Sequence, residues 1–413
     1  MLSVEEAFRT IVGQFRPLET ERVPLREACD RVLAEDVRSP EPVPPFDNSA
    51  MDGYAVRFED TLGASAGAPV ALFVVGEVPA GRAPEARVEP GTAVRVMTGA
   101  PMPEGADAVV MREDTREHPD RVEVLLPAEH GEHVRRVGDD IPADSRVLEA
   151  GTVLNPSALG VLASIGVGRI AVVRRPRVAL LATGDELVEL GQPLGPGQIR
   201  NSSAHALEAA IAAMGAVPVP LGIARDDRAE LTAKLHEGAR ADLLVTTGGV
   251  SVGDYDLVRE VLTSLGQLDL WRVNMQPGKP LAFGHIDGCP VLGLPGNPVS
   301  SMVAFELFVR PAIRRLQGHT ALAHARVPVV LDAPMTKKNA RRQYLRAVVR
   351  LVDGAFHADL TGPQGSHMLT SMARANALVI LPEGTRSYAA GDRVEGHLLG
   401  EGALFENRDS DAV

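Results

Sequence analysis

Acidic and uncharged polar residues stand together in a segment that neither helix nor strand periodicity explains. In Pro44–Ala55, with the sequence PPFDNSAMDGYA, the paired prolines favour an extended entry, and Asn48 and Ser49 add short hydrogen-bonding groups. Asp52 precedes Gly53, a pair that forms turns and can aim a carboxylate into a cleft. An isolated Asp-Gly pair is more often an ordinary surface turn. The specificity of the whole segment favours a site loop.

Two further polar loops follow apolar runs with the length and composition of buried strands. Val178–Ala182 leads into Thr183–Glu186, and Asp242–Thr246 leads into Thr247–Asp254. Helix-like segments alternate with these strands, a pattern typical of a doubly wound parallel α/β sheet. Ligands of such sheets bind beyond the carboxyl ends of the strands, so we expect the loops to face one cleft. Pro295–Pro298 follows another apolar strand and belongs to the same set.

The loop Thr247–Asp254, which follows the apolar run Asp242–Thr246, combines glycines, hydroxyls and acids. Backbone N–H groups exposed by Gly248 and Gly249 could cradle a phosphate or pyrophosphate. Asp254 and Asp256 suit a divalent cation that balances the anion. A glycine-rich loop alone is more often a tight strand-to-helix turn, and the combination with acids makes it informative.

Several acids gathered in one cleft repel one another unless a cation offsets them. Glu186 and Asp185 are expected in the same cleft as Asp254, and such carboxylates raise one another's pKa. Hard oxygen ligands favour Mg²⁺ over zinc. Helix capping is an equally good interpretation of Asp185 and of the Asp226-Asp227 pair, because aspartate is a favoured N-cap.

The remaining motifs are less specific. Lys279 lies in a proline-stiffened loop and could contact an anionic substrate, with Arg272 one short strand before it. Val96–Pro101 and Gly138–Ile141 carry common turn elements and read as structural in isolation. The sequence contains no convincing Ser/His/Asp constellation and no histidine spacing typical of a metal site.

Other patterns place the elements around these loops. Residues 3–15 predict an amphipathic helix capped by Ser3, and residues 155–165 predict a second helix capped by Asn155. Short β-rich runs between turn residues predict an all-β unit from about 70 to 126. Strands return after about residue 321 and predict a small C-terminal β domain.

Length and composition exclude several classes of protein. A chain of 413 residues predicts two to four domains at roughly 150 residues each. The net charge of -12 argues against a nucleic-acid partner, and no apolar run is long enough for a membrane span. Acidic residues near the N-terminus do not fit a secretory signal, and the isolated Cys29 and Cys289 form no disulfide or zinc pattern. The cytoplasm is the expected compartment.

Eight motifs in order resemble the molybdopterin molybdenumtransferases, the MoeA/gephyrin E-domain family. They cover essentially the whole chain: residues 45–55, 96–101, 138–141, 183–187, 247–254, 277–280, 294–300 and 365–376. The resemblance implies insertion of molybdenum from molybdate into adenylylated molybdopterin, with release of AMP and dependence on Mg²⁺. It also implies an elongated homodimer, with the upstream adenylyltransferase as a further partner.

The resemblance assigns roles residue by residue. It implies catalytic roles for Asp52, Thr98, Asp140, Glu186 and Asp254, with Glu186 and Asp254 nearest the metal and Asp52 and Asp140 reaching across the dimer cleft. It implies substrate-binding roles for Arg135, Asp227, Gly248, Gly249, Ser251, Arg272, Lys279, Pro295, Pro298 and Ser371. Gln276 departs from the basic residue that relatives often carry before Pro-Gly-Lys, which removes one charge from the anion site.

The expected fold is multidomain α/β plus β. It comprises a central doubly wound α/β domain of the molybdopterin-binding type, a β-rich N-terminal lobe and a small C-terminal β-barrel-like domain. The implied bounds are 1–26 with 45–57 and 137–174 for an N-terminal linking domain, 27–44 with 58–136 for an inserted β-rich domain, 175–320 for the α/β domain, and 321–408 for the C-terminal domain.

Two alternatives remain open. The α/β region alone also resembles the molybdopterin adenylyltransferases, which catalyse the preceding step. A non-catalytic carrier of the nascent cofactor is the alternative from a different class. It predicts tight pterin binding without release of AMP.

Overall fold

A computed structural model describes residues 1–249 and 257–400 of the chain. These residues form two compact units. One unit contains Met1–Glu21, Asp30–Val32 and the described residues from Val173 onward, and the other contains Arg22–Cys29 and Leu33–Val172. Within the described ranges, no helix combines the length and apolar character that a bilayer crossing requires.

The chain up to residue 173 consists mainly of short strands. The elements in order are α1 (Val4–Gly13), β1 (Thr20–Pro24), β2 (Val37–Arg38), β3 (Asn48–Ser49), β4 (Gly53–Val56), β5 (Val70–Val78), β6 (Thr92–Val96), β7 (Ala108–Met111), β8 (Thr115–Glu117), β9 (Arg121–Val124), β10 (Val134–Arg135), β11 (Arg146–Leu148), α2 (Pro156–Ser164) and β12 (Arg169–Val173). Short 3₁₀ turns occupy Leu25–Glu27, Phe58–Thr61 and Arg112–Asp114.

The next part of the chain alternates strands with helices. It contains β13 (Arg177–Thr183), β14 (Leu187–Val188), β15 (Ile199–Arg200), α3 (Ser202–Ala213), β16 (Val217–Ala224), α4 (Arg228–Gly238), β17 (Leu243–Thr247), α5 (Leu257–Leu265), β18 (Gly266–Arg272), β19 (Met275–Gln276), β20 (Pro280–Ile286), β21 (Cys289–Leu294), α6 (Pro298–Ala304), a π-helical turn (Phe305–Val309) and α7 (Arg310–Leu316).

The C-terminal part is again rich in strands. It contains β22 (Arg326–Leu331), β23 (Met335–Lys337), β24 (Arg342–Val352), β25 (Ala355–Leu360), α8 (Leu369–Ala373), β26 (Ala377–Leu381), β27 (Arg386–Tyr388) and β28 (Arg393–Leu398).

The two helices predicted from capping residues, α1 and α2, both form with those caps. The Ser3 hydroxyl accepts a hydrogen bond from the Glu6 N–H, and the Glu6 carboxylate accepts one from the Ser3 N–H, which completes a capping box on α1. The Asn155 side chain accepts from the Ala158 N–H at 2.8 Å and caps α2, with Pro156 at the first helical position.

A six-stranded sheet forms the centre of the α/β region. Its strand order is β16-β13-β17-β21-β20-β18. The first four strands are parallel, and β20 runs antiparallel to both of its neighbours, β21 and β18. β16 contains Pro218 and Pro220, which an edge strand tolerates because half of its backbone groups face no partner.

The side chains of β13 alternate between two apolar layers. Val178 and Leu180 belong to the same buried cluster as Leu207 of α3. Their neighbour Leu181 belongs to the cluster that contains Leu231 of α4 on the other face. Helices therefore cover both faces, which confirms the predicted doubly wound architecture.

The second unit contains a six-stranded sheet of order β7-β4-β6-β5-β9-β8. Tyr54 and Val56 pack with one buried cluster and Ala55 with another, so apolar groups cover both faces of β4. The predicted β-rich N-terminal lobe is confirmed.

The C-terminal strands close into a barrel. The order is β24-β25-β22-β28-β26, and β26 pairs again with β24, so this five-stranded ring has no open edge. Its interior contains Val329, Ala347 and Val379, each at most 1% exposed. The predicted small β-barrel-like domain is confirmed.

Candidate functional site

Four loops meet at one edge of the central sheet. They follow the carboxyl ends of β16, β13, β17 and β21, which are neighbours in that order. The Gly184 N–H donates to the Ala224 carbonyl at 3.2 Å, and the Gly248 N–H donates to the Leu294 carbonyl at 3.1 Å. These bonds tie adjacent loops together, so the common edge expected from the sequence is present.

The Glu186 carboxylate lies against the backbone of its own loop. An added Cβ at Gly184 would lie 2.4 Å from Glu186 Oε2, and the glycine has a φ of +137°. Gly184 therefore leaves space for this carboxylate and adopts a backbone conformation that other residues rarely take. The Glu186 side chain is exposed at the strand-end edge.

The structure separates the two acids of the Asp226-Asp227 pair. The Asp227 carboxylate accepts from the Glu230 N–H at 2.8 Å and caps α4. The Asp226 N–H donates to the Asp185 carboxylate at 3.2 Å. Partial loss of hydration, together with the charges of Asp185 and Glu186, raises the pKa of Asp226. Asp226 is thus electrostatically coupled to Asp185 and Glu186, whereas Asp227 caps α4; the substrate-binding role of Asp227 stays a prediction.

The glycine loop after β17 is only partly within the described residues. Gly248 and Gly249 have φ values of +90° and +63°, and a Cβ on Gly248 would lie 2.7 Å from the Thr183 carbonyl oxygen. The Gly248 N–H already donates to Leu294, so it does not serve the predicted phosphate cradle in this conformation. The predicted residues Ser251 and Asp254 lie outside the described ranges.

The Pro295–Pro298 loop leads directly into α6 beside these strand ends. Pro298 is the first residue of α6, and the Ser301 hydroxyl donates to the Pro295 carbonyl within this turn. The Ser203 hydroxyl donates to the Gly296 carbonyl at 3.4 Å. Pro295 and Pro298 therefore occupy the edge, as their spacing after β21 suggested.

Lys279 lies in the turn that connects β19 and β20. Its carbonyl accepts from the Val273 N–H at 2.8 Å, and an added Cβ on Gly278 would lie 3.4 Å from the Ser300 carbonyl of α6. The turn is therefore packed against the helix that begins at the strand-end edge. Arg272 ends β18 and is exposed.

Ser371, for which the resemblance implied a substrate-binding role, is buried in the structure. It is 3% exposed; its hydroxyl accepts from Arg346 Nε at 3.0 Å and donates to the Met368 carbonyl at 2.6 Å. Arg346 is completely buried and also donates to the Gly365 carbonyl at 3.1 Å. This buried cation, which sequence reasoning missed, fixes the segment around Ser371.

The acids at this edge do not by themselves complete a metal-binding group within the described residues. Among residues 1–249 and 257–400, no three acidic, histidine or cysteine side chains are grouped to hold a metal ion. Asp254, one of the two predicted ligands, is not among those residues. The carboxylates of Asp185, Glu186 and Asp226 are hard oxygen donors of the kind that Mg²⁺ prefers. Burial raises the pKa of Asp226, and the neighbouring charges of Asp185 and Glu186 raise it further.

Asp52 and Thr98 are in direct contact in the other unit. Asp52 Oδ1 accepts from the Thr98 N–H and hydroxyl, both at 2.7 Å. These two bonds lower the pKa of Asp52, with Arg112 and Arg95 contributing more weakly. The carboxylate is therefore held ionised in a fixed orientation.

Gly53 has a different role from the turn that the sequence predicted. It is the first residue of β4 and pairs with Met111 of β7. An added Cβ would lie 2.0 Å from the Val110 carbonyl oxygen, so only glycine allows this strand contact. Asp52 thus stands at the start of a strand rather than inside an Asp-Gly turn.

Backbone hydrogen bonds place Asp140 and Arg135 beside the segment that carries Asp52. The Asp140 N–H donates to the Val43 carbonyl at 3.0 Å, and Arg135 pairs in register with Asn48. Both side chains are exposed, and neither contacts the Asp52 carboxylate by a hydrogen bond found in the structure. The backbone brings these segments together while leaving the two charges free to meet a ligand.

Sequence reasoning missed the pair that holds this loop. The Asp47 carboxylate accepts from Arg136 Nη1 and from the Val137 N–H, each at 2.8 Å. These bonds lower the pKa of Asp47, the backbone bond being the larger influence. Asp47 lies in the motif read from the sequence, but its partner is 89 residues away in the chain.

A large cavity lies between α1 and the C-terminal strands. It measures about 1010 Å³ and is lined by Phe8 of α1 together with Tyr344, Tyr388 and His397 from the C-terminal strands. None of the residues predicted for the site lines it. Size alone therefore does not locate the predicted chemistry in this protein.

Three family models cover most of the chain. Residues 2–166 match the MoeA N-terminal region (domain I and II), residues 179–315 match a probable molybdopterin binding domain, and residues 328–399 match the MoeA C-terminal region (domain IV). Molybdopterin molybdenumtransferase 2 of Mycobacterium tuberculosis (strain H37Rv) is 41% identical over 402 residues, covering 96% of this chain and 99% of that protein. The chain belongs to the MoeA family.

Other MoeA relatives agree over the full length. Molybdopterin molybdenumtransferase of Nostoc sp. is 42% identical over 388 residues, covering 91% of this chain and 88% of that protein. The crystal structure of a molybdopterin biosynthesis moea protein from Pyrococcus horikosii has a TM-score of 0.81 at 34% identity, covering 97% of this chain and 99% of that one. The fold is therefore the MoeA fold throughout.

The MoeA models divide the candidate residues between two regions. The N-terminal model includes Asp52, Thr98 and Asp140, and the central model includes the strand-end loops with Glu186 and Asp226. The four domain bounds expected from the sequence stay a prediction.

Proposed function

We propose that this MoeA-family chain transfers molybdenum from molybdate to adenylylated molybdopterin and releases AMP. The observation that carries the proposal is the acid-bearing edge at the carboxyl ends of four neighbouring strands, within a region that matches a probable molybdopterin binding domain. Its relatives over the full length are named molybdopterin molybdenumtransferases. The arrangement suits a ligand that carries a diphosphate with a bound divalent cation, because the carboxylates at the strand ends are hard oxygen ligands.

The site residues would divide the work. Glu186, with Asp226 beside it, would hold Mg²⁺ through hard oxygen donors, and the metal would supply the positive charge that offsets the diphosphate. Asp254 is proposed to contribute from outside the described residues. Lys279 would contact an anionic oxygen. Asp52, fixed in its ionised form by Thr98, would serve as a second acidic centre.

The assembly and compartment are also proposals. A homodimer and the upstream adenylyltransferase are the protein partners that the sequence resemblance implies. Sedimentation equilibrium of the purified chain tests the dimer, since a monomer mass at assay concentration would exclude it. The cytoplasm is the compartment expected from the sequence.

The decisive assay follows two products in the same sample. Purified protein is incubated with adenylylated molybdopterin, molybdate and Mg²⁺, and bound molybdenum and free AMP are measured over time. We expect about one AMP per molybdenum inserted. Tight pterin binding without AMP would instead support a carrier, and formation of adenylylated pterin from ATP and free molybdopterin would support an adenylyltransferase.

A pair of variants tests the assignment of Glu186. Glu186→Gln keeps the shape of the side chain and removes its charge, and we expect insertion to slow by about 10²-fold, the usual cost of losing one preorganised electrostatic group. The matched control is Glu189→Gln on the exposed surface three residues on. Equal rates in the two variants would remove Glu186 from the site.

A further inference from the structure

Arg225 reaches from the end of β16 to the loop that carries Glu186. Its Nη1 group donates to the Asp185 carbonyl and to the Leu187 carbonyl, each at 3.0 Å. These two carbonyls flank Glu186 in the chain. A single half-buried guanidinium therefore fixes the peptide groups on both sides of the predicted metal ligand.

The opposite side of the same loop is held by backbone bonds. The Glu186 carbonyl accepts from the Ile199 N–H at 2.8 Å, and Leu187 pairs with Ile199 where β14 meets β15. The Leu187 N–H closes the turn onto the Gly184 carbonyl at 3.3 Å. Two bonds already join the loop to the end of β16: the Gly184 N–H donates to the Ala224 carbonyl, and the Asp226 N–H donates to the Asp185 carboxylate. Arg225 adds the contacts that hold the carbonyl groups on either side of Glu186.

The Ile199 bond and the Arg225 bonds restrain the Glu186 loop in different directions. The Ile199 bond joins Glu186 to the β14-β15 pair, whereas the Arg225 bonds join its neighbours to the edge strand β16 of the central sheet. Without the guanidinium, two carbonyls would turn toward water, and the loop could swing away from the sheet about the β14-β15 pair. Such a swing would carry the Glu186 carboxylate away from the strand-end edge.

We propose that Arg225 is a positioning residue for the reaction, which holds the Glu186 loop against β16 so that the carboxylate meets the diphosphate at the strand ends. The inference rests on the proposed function. Arg225 acts through the loop backbone, so its removal changes the orientation of Glu186 and leaves the rest of the sheet intact. Loss of about 1 Å in the placement of a catalytic group commonly costs about 10²-fold in rate.

The test combines a local structural readout with kinetics. Arg225→Gln, Arg225→Lys and the wild-type chain are compared by amide hydrogen exchange without substrate and by the molybdenum insertion assay. In Arg225→Gln we expect the Gly184 amide, which joins the loop to the Ala224 carbonyl at the end of β16, to exchange about 10-fold faster. We also expect kcat to fall by roughly 10- to 100-fold and KM to change less than about threefold. Arg225→Lys, which keeps a charged donor, should recover most of kcat.

Arg228→Gln is the matched control. Arg228 lies three residues further on and pairs with Glu260 at 2.9 Å on the surface, with more than half of each side chain exposed. This variant should leave both kcat and the exchange of the Gly184 amide unchanged.

Three results would overturn the inference. Unchanged exchange and unchanged kcat in Arg225→Gln would show that the loop needs no guanidinium. A rise in KM with unchanged exchange would make Arg225 a direct substrate contact. Faster exchange throughout β17 would reduce it to a general structural role. If the wild-type chain inserts no molybdenum, the proposed function fails, while the exchange data still decide whether Arg225 holds the loop.

Discussion

Replacing Gly184 with alanine tests whether Glu186 depends on the bare backbone beside it. The new Cβ would lie 2.4 Å from Glu186 Oε2 and 2.8 Å from Oε1, well inside the ordinary contact range that begins at 3.4 Å. The carboxylate must therefore move by about 1 Å, which we expect to slow molybdenum insertion by about 10²-fold. Alanine at a φ of +137° adds backbone strain of about 1–3 kcal/mol, which lowers the free energy of unfolding.

A control in the next loop, between β14 and β15, separates the strain from the displacement. Gly197 has a φ of +75°, and an added Cβ there meets no atom within 4 Å. Gly197→Ala should lower the unfolding free energy by about 1–2 kcal/mol while insertion stays near the wild-type rate. Urea unfolding gives the stability of each variant, and the molybdenum assay gives the rate. Equal insertion rates for the two alanine variants would refute the reasoning, because strain alone would then explain everything observed.

Two further predictions concern single carboxylates. Asp242→Asn should lower the unfolding free energy by about 2–4 kcal/mol in urea titrations, because the half-buried Arg174 guanidinium loses a two-pronged partner at 2.6 and 2.7 Å. Burial opposes ionisation of Asp242, but the bonds from Arg174 outweigh it and lower the pKa of this carboxylate. The stability that the ion pair contributes is present above about pH 4 and is lost as pH falls through the folded pKa. The unfolding free energies of wild type and variant should therefore converge in acid. Asp227→Ala should lower the unfolding free energy by about 1 kcal/mol and leave the rate of molybdenum insertion unchanged, because the residue caps α4. Asp226→Asn should leave the unfolding free energy unchanged and slow insertion. The reverse pattern would assign the site role to Asp227.

The local signals in the sequence predicted much of the fold. Ser3 with Glu6 and Asn155 with Pro156 each encode a helix start within a few residues, and both helices begin where these signals lie. The apolar run around Leu180 predicted a strand buried on both faces, which requires covering layers on each side. Such features are readable because their physical cause is contained in a short stretch of chain.

The site was less readable because its contacts are distant in the sequence. The partners Arg225 and Asp185 are 40 residues apart, and only the parallel pairing of β13 with β16 brings them together. The choice between Asp226 and Asp227 depended on the direction of each side chain at the start of α4, which adjacent identical residues do not reveal. The antiparallel strands β18 and β20 that extend the sheet were likewise set by pairing rather than by composition.

The short strand β19 limits how this protein can be divided into fragments. Its residues Met275 and Gln276 pair with β24 of the barrel, and the Asn339 amide donates to the Gln276 side chain at 2.6 Å. Met275 is fully buried there, two residues before the turn that presents Lys279. A fragment ending before the barrel would bare this apolar segment and leave its backbone without a partner. The α/β region is thus unsuited to isolation as a soluble piece, and the lysine turn would lose its tether to the ring of strands.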